Sequence, residues 1–218
     1  MTAILFGSIS TLSDSSELQR SSFNEAFEQH GLGWRWDRDE YRTLLDSNGG
    51  AERVAAYAEQ RGEDVDAKAV HATKSELFQK GLAGTSSPRA GVVDTIKAAK
   101  DAGAKLAFVT TTAKANVDAL FDALAPAVQR SDFDVVVTAE DVDDKKPAPD
   151  AYTRALEQLG EDAGSAVAIE DNPGGVKSAQ AAGLTVVAFP NDNTAEADFG
   201  SAEKTDRLDY STLTAGLA

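Results

Sequence analysis

Apolar residues recur along this chain with two different periods, and the change between them divides it. The run Ala3, Ile4, Leu5, Phe6 is continuous and of strand length. Gly7 and a serine-rich stretch close it, which predicts a short buried strand and then a loop. Strand signals then stop as far as residue 82. Leu18, Phe23, Ala26 and Phe27 recur at helical spacing within 16–30, and Gly31 and Gly33 end that pattern. Trp34 and Trp36 alternate briefly before Asp37, a suitable N-cap for a helix carrying Tyr41, Leu44 and Leu45. Asn48, Gly49 and Gly50 predict a turn, 52–60 a further helix, and 66–81 a last one with Val70, Leu77 and Phe78 on one side. The two tryptophans are expected to pack inside this helical stretch rather than to stack on a ligand.

From Pro88 onward helix and strand alternate. Helices are predicted over 91–102, 114–124, 150–159 and 174–182, strands over 105–109, 134–138, 166–169 and 184–189, and a short helix after Tyr210. Short apolar strands separated by helices make a parallel sheet covered on both faces, so the fold class is α/β. Right-handed crossovers gather ligand groups at the carboxyl ends of such strands. The helical stretch is then an insertion, with 1–14 and 83–218 forming the α/β core and 15–82 an α-helical domain of their own.

Charge and composition narrow the function. The formal net charge of −15 is spread along 218 residues rather than gathered in one tail. The concentrated Lys and Arg that grip phosphate backbones are missing, so no nucleic-acid partner is expected. The absence of cysteine excludes disulfides, thiolate metal sites and a Cys nucleophile. His30 and His71 lie in amphipathic stretches with no partner at ligand spacing and read as solvated or half-buried surface residues. No apolar stretch approaches membrane-spanning length and no basic leader precedes one. A cytoplasmic monomer without membrane contact is the expectation.

Polar groups collect where the predicted strands end. Thr110, Thr111 and Thr112 bring hydroxyls and backbone N–H groups to the start of a helix, a suitable place for a phosphate. Lys146 stands in a loop stiffened by Pro147 and Pro149, and a fixed lysine beside phosphate acts as a point charge. Glu170 and Asp171 directly follow a buried strand, and paired hard oxygen ligands suit Mg²⁺. A Thr-rich turn, a solvated Lys-Pro loop and a surface Glu-Asp pair are each common, but their occurrence in this order, each after a strand, is not. In that order they resemble the haloacid dehalogenase superfamily, and within it the CbbY-type and β-phosphoglucomutase-like branch. Thr11, Leu12, Asp14, Ser15, Phe23 and Asn24 are similar to its first motif and the start of its cap, and Gly49, Gly50, Glu52 and Arg53 to the cap's substrate loop. Thr110 to Thr112 are similar to the second motif, and Lys146 and Pro147 with Pro149 and Asp150 to the third. Ile169, Glu170, Asp171 and Asn172 with Gly175 and Gly183 are similar to the fourth. The resemblance implies a Rossmann-like core under a helical cap, Mg²⁺ as cofactor, and phosphoryl transfer from small phosphate esters. By the same resemblance Thr110, Thr111 and Lys146 bind phosphate, Glu170 and Asp171 the metal, and Gly49, Gly50 and Arg53 the substrate.

The first motif departs from that pattern. In the family the opening strand ends in Asp-x-Asp; the first Asp attacks phosphorus and binds Mg²⁺, and the second is the general acid and base. Matching Thr11 and Leu12 puts Gly7 and Ile9 at those positions. On an extended strand the two share one face, with Ser8 on the other. Ser10 and Ser13 have no histidine close in sequence to activate them, and Asp14 is too far along to substitute. In another hydrolase, loss of the nucleophile alone costs about 10⁶ in turnover, on the order of 8 kcal/mol. Ala51 stands where the branch has a cap-loop Lys, and Lys145 where it has Gly, which leaves specificity for sugar bisphosphates unsupported. The expectation is a family member with no more than vestigial phosphatase activity, weakened Mg²⁺ binding, and a small phosphorylated metabolite as ligand. Two alternatives stay open: an active Mg²⁺-dependent phosphatase of small phosphate esters in which metal-bound water attacks, and a partner-binding protein with a vestigial cleft. Gly7→Asp combined with Ile9→Asp is expected to create Mg²⁺ binding and detectable hydrolysis, read by calorimetry and phosphate release. A folded double variant with neither property means that the rest of the site has drifted as well.

Overall fold

In the computed structural model, residues 2–45 and 49–217 are described. The opening apolar run is β1 (Ala3–Phe6), at the centre of a six-stranded sheet. Its neighbours are β2 (Lys105–Val109) and β4 (Ala166–Glu170). With β3 (Val135–Val137), β5 (Thr185–Ala188) and β6 (Glu203–Lys204), the order is β3-β2-β1-β4-β5-β6 and every neighbouring pair is parallel. The register runs from Ala3 opposite Lys105 and Ala166 to Phe6 opposite Phe108 and Ile169.

Neither face of β1 meets water. Ile4 and Phe6 enter one apolar core with α6 (Val92–Asp101), α7 (Lys114–Leu124) and α10 (Tyr210–Thr214). Ala3 and Leu5 enter the other, with α8 (Asp150–Leu159) and α9 (Pro173–Ala181). This two-sided burial explains why the strand reads as a continuous apolar run rather than an alternation. Each fully buried side chain of Leu, Ile or Phe size contributes about 1.5–3 kcal/mol.

The inserted helices are α2 (Ser16–Gln29), α3 (Arg38–Leu44), α4 (Gly50–Arg61) and α5 (Ala67–Thr85). They close round a third apolar cluster that includes Phe23, Phe27, Trp34, Trp36, Tyr41 and Val70. Trp36 is fully buried, its ring centroid 4.6 Å from that of Phe27 and 4.9 Å from that of Phe23, so the tryptophans pack within the module. Asp37 caps α3 by accepting from the Glu40 N–H, and Asp66 caps α5 through the Ala69 N–H. Of the turn expected at Asn48, Gly49 and Gly50, Asn48 lies outside the described residues, and Gly49 is the N-cap of α4. α5 runs past its expected end to Thr85, because Phe78 and Leu82 continue its buried face into the core that holds Ile4 and Phe6. One helix thus ties the two modules together.

The segment after β1 differs from the expected loop. A single helical turn, α1 (Ile9–Leu12), begins there, with the Ser13 N–H donating to Ile9 O at 3.1 Å. Ile9 and Leu12, three apart, are both buried in the core beneath the turn, and that apolar pair outweighs the turn-forming tendency of the serines. Among the described residues no helix is long and apolar enough to cross a membrane.

Candidate functional site

The carboxyl ends of β1, β2 and β4 lie side by side at the middle of the sheet, and the polar groups collected from the sequence meet there. They separate into a buried network and an open cleft. In the network, Glu170 ends β4 with no exposed surface, and its Oε1 accepts from Lys146 Nζ and from the Tyr152 hydroxyl, both at 2.7 Å. Lys146 also donates to the carbonyls of Val109, at 2.8 Å, and of Gly7. Its three ammonium hydrogens therefore have three acceptors, and it is only 6% exposed. Burial pushes the Glu170 carboxyl up to about 7, even though Lys146 opposes the rise. Burial and the neighbouring Glu170 hold the Tyr152 phenol well above its usual range.

Gly7 is where this network touches β1. A Cβ on Gly7 would lie 2.3 Å from the Tyr152 hydroxyl oxygen and 2.4 Å from the Glu170 carboxyl carbon, so the space a side chain would take is already filled. The expectation that Gly7 and Ile9 share one strand face is corrected. The strand stops at Phe6, Gly7 faces Glu170 and Tyr152, and Ile9, 4% exposed, packs in the core at the cleft floor. Ser8 is corrected for the same reason. It precedes α1 rather than continuing β1, and its hydroxyl turns to Asp171 Oδ1 at 2.6 Å.

The cleft, of about 350 Å³, lies between these strand ends and the inserted helices. Asp171 lines it, but both carboxylate oxygens are engaged. Ser8 and Asn172 donate to Oδ1 at 2.6 and 2.9 Å, and Asn191 donates to Oδ2 at 2.6 Å. Among the described residues no three of His, Cys, Asp and Glu group as metal ligands. Thr110, Thr111 and Thr112 line the opposite wall, with the Thr112 N–H donating to Thr110 Oγ1 at 3.2 Å. The backbone N–H of Lys114, in the first turn of α7, is held by Glu140 at 3.1 Å. From the inserted helices come Gly49 and Gly50 at the start of α4, Arg53, His71 and Lys74. A Cβ on Gly50 would lie 2.4 Å from the His71 ring, so only glycine brings α4 this close. Arg53 is buried and donates from Nε to Leu44 O at 2.8 Å. Glu52 and Lys145 pair across the cleft mouth at 3.2 Å.

Residues 6–189 match the family described as haloacid dehalogenase-like hydrolase. The chain belongs to that family. It is 39% identical over 207 residues to protein CbbY of Rhodobacter capsulatus, a match covering 93% of this chain and 91% of that one. CbbY from Rhodobacter sphaeroides in complex with phosphate superposes with a TM-score of 0.90 at 38% identity, over 100% of this chain and 99% of that one. A variant of the same protein in complex with xylulose-(1,5)bisphosphate superposes equally well, with a TM-score of 0.90. Beta-phosphoglucomutase from Clostridium difficile, at 13% identity and a TM-score of 0.79, shares the fold alone.

In this haloacid dehalogenase-like hydrolase the expected site residues do not all reach the cleft. Thr110, Thr111, Asp171, Gly49, Gly50 and Arg53 line it, whereas Lys146 and Glu170 are turned to each other behind it. The sequence pattern missed Lys74, Tyr152, Asn191 and Thr194. Lys74 carried a usable signal: it stands four residues from both Val70 and Phe78, in the apolar stripe of α5. Asn191 and Thr194 sit in an ordinary polar loop and carried none. His71 is half-buried, as expected, but faces the cleft; burial and then the charge of Lys74 lower its pKa from 6.5 to about 4.

Two measurements probe this arrangement. Lys146→Met leaves Glu170 buried without its cation and is expected to lower unfolding free energy in urea by about 3–5 kcal/mol, part of which adding Glu170→Gln restores. His71 binds its proton less readily folded than unfolded, so its contribution is present above pH 6.5 and lost as pH falls towards about 4. The stability difference between the parent and His71→Gln should therefore move in the parent's favour across that rise in pH. A difference independent of pH counts against a buried, neutral His71.

Proposed function

We propose that this haloacid dehalogenase-like hydrolase is a non-catalytic member of its family that binds a small phosphorylated metabolite in its cleft without Mg²⁺. The single observation that carries this reading is the filled space at Gly7, where Glu170 and Tyr152 stand within 2.4 Å of a would-be Cβ. Family chemistry needs a carboxylate there to attack phosphorus, and among the described residues no other group takes that role. Asp14 is consumed by Ser16 and by the Asp192 N–H, and the Ser10 hydroxyl meets that of Ser15, at 3.2 Å. A hydroxyl without a base is a weak nucleophile.

Mg²⁺, which the family implies, does not fit this donor set. Oδ1 of Asp171 already accepts two hydrogen bonds and Oδ2 one, Glu170 would have to exchange its lysine for the ion, and among the described residues no third carboxylate groups with them to repay the water the ion sheds. Phosphate is a better match for the cleft, which Thr110, Thr111 and Ser10 line together with Gly49 and Gly50 at the start of α4. The complexes of CbbY with phosphate and with xylulose-(1,5)bisphosphate support a ligand of this class.

Purified protein with Mg²⁺ is expected to hydrolyse neither a panel of sugar phosphates nor an aryl phosphate above the protein-free rate. Inorganic phosphate or a sugar phosphate should raise the melting temperature, with about 2.7 kcal/mol of stabilisation at a hundredfold excess over Kd, while Mg²⁺ alone leaves it unchanged. Mg²⁺-dependent turnover abolished by Asp171→Asn would overturn the non-catalytic reading. A melting temperature indifferent to every phosphate compound would remove the ligand.

A further inference from the structure

The side chains that reach the Asp171 carboxylate from distant segments are Ser8 and Asn191, and both stand beside the connections to the inserted helices. Ser8 opens the segment that runs through Asp14 into α2, and Asn191 opens a turn, 191–194, that follows β5. One side of that turn belongs to the core. Asn191 Oδ1 accepts from the N–H groups of Asn193 and Thr194 at 2.9 and 3.1 Å, and Thr194 Oγ1 donates to the carbonyl of Asp171 at 2.6 Å. The other side is fastened to the helical module. Asn193 Nδ2 donates to Glu17, in the first turn of α2, at 2.8 Å, and Arg42 on α3 donates to the Asp192 carbonyl at 3.1 Å. The Asp192 N–H donates to Asp14 at 3.0 Å. Arg89, in the connection from α5 back to α6, ties the two segments to each other. It donates to Ser10 O at 2.9 Å, to Phe189 O at 2.8 Å and to Pro190 O, with its guanidinium carbon 3.4 Å from the centre of the Phe189 ring. A rigid, planar fork of donors spans such a set of carbonyls and stacks on the ring, which a lysine cannot do.

Asn193 keeps its place at a cost. It is 4% exposed, and among the described residues its Oδ1 has no hydrogen-bond partner. A buried acceptor left unpaired is unfavourable. Turning the amide over would set that oxygen against Glu17, whose pKa Arg20 first, and then Asn193 and Arg38, hold down to about 2 against the opposing effect of burial. Glu17 is therefore an anion, its bond from Asn193 is of the stronger, charge-assisted kind, and that bond dictates how the amide points. We propose that the 191–194 turn, pinned by Arg89, couples the setting of the inserted helices to Asp171. Asn193 and Arg89 are positioning residues for the carboxylate, and a displacement of α2 loosens the bond from Asn191 to it. The route is a contiguous chain of hydrogen bonds from Glu17 through Asn193 and Asn191 to Asp171. By linkage the influence is mutual: a molecule that draws Asp171 away from Asn191 weakens the hold on α2. The coupling concerns bonds the chain makes with itself and stands whether or not the cleft takes a phosphate.

Double-mutant cycles on the full chain, read by urea unfolding, test it. Glu17→Gln and Asn191→Ala share no hydrogen bond, yet their effects should depart from additivity by about threefold or more in the folding equilibrium constant, and the departure should vanish in an Asn193→Ala background. Gln79→Ala removes a different bond between the modules, from Gln79 to Asn116 at 2.8 Å, and should combine additively with Asn191→Ala. Hydrogen exchange gives a reading that does not depend on the Asn193→Ala variant folding. The N–H groups of Asn193 and Thr194 should exchange about tenfold faster in Glu17→Gln and in Arg89→Lys, while those of Phe108 and Val109 in β2 keep the parent's rates. Additive effects in the parent, a departure that persists without Asn193, or equal coupling for Gln79→Ala overturns the proposal. So does exchange at residues 193 and 194 that ignores either substitution.

Discussion

The contact between Lys146 and Glu170 is the constraint on which the middle of this structure depends. A carboxylate that ends the central part of a parallel sheet with no exposed surface needs a cation, and Lys146 supplies it at 2.7 Å. A side chain at residue 7 would contest the same space. With glycine there, the lysine settles on the backbone carbonyl of Gly7 and the hydroxyl of Tyr152 closes in from α8. Lys146 is thereby spent on holding β1, β2 and β4 together at their carboxyl ends.

The front of the site has a different physical character. Asp171 is satisfied by amide and hydroxyl donors, the threonines offer hydroxyls, and Arg53, His71 and Lys74 come from the inserted helices while Lys145 comes from the core. The cleft is thus lined by hydroxyl, amide and basic groups rather than by free carboxylates. The bridge between Glu52 and Lys145 at its mouth is exposed, and such a pair contributes only about 0–1 kcal/mol. The hold between the two modules comes instead from α5, whose Phe78 and Leu82 are buried in the α/β core while its Val70 belongs to the helical one. Lys74 lies on α5 between Val70 and Phe78, which is why it is both buried and at the cleft.

Much of the fold was legible because burial on both faces of a parallel sheet leaves continuous apolar runs, and those runs are local in sequence. The Ala3–Phe6, Lys105–Val109 and Ala166–Glu170 strands and the Lys114–Leu124 and Asp150–Leu159 helices all announce themselves in this way. The turn Ile9–Leu12 did not, since its serines read as a loop and only the core beneath Ile9 and Leu12 holds it helical. β6, two residues long and exposed, has no pattern to read. At the site, Thr110, Asp171 and Gly50 could be collected as residues after strands or before a helix. The partners Tyr152 for Glu170, and Asn191 and Ser8 for Asp171, come from distant segments with no shared spacing.

The sequence by itself determined that this is an α/β chain with an inserted helical module, that polar groups gather at the strand ends, and that residues 7 and 9 carry no carboxylate. Those are statements about residue type and period, and both are local. Only the tertiary structure decided what occupies the space beside Gly7, that Lys146 faces inward, that Ser8 turns to Asp171, and that Lys74 is buried beside the cleft. Each depends on which segments burial brings together: a side chain meets its partner across 163 residues in the case of Ser8 and Asp171, and 55 in the case of Gln19 and Lys74.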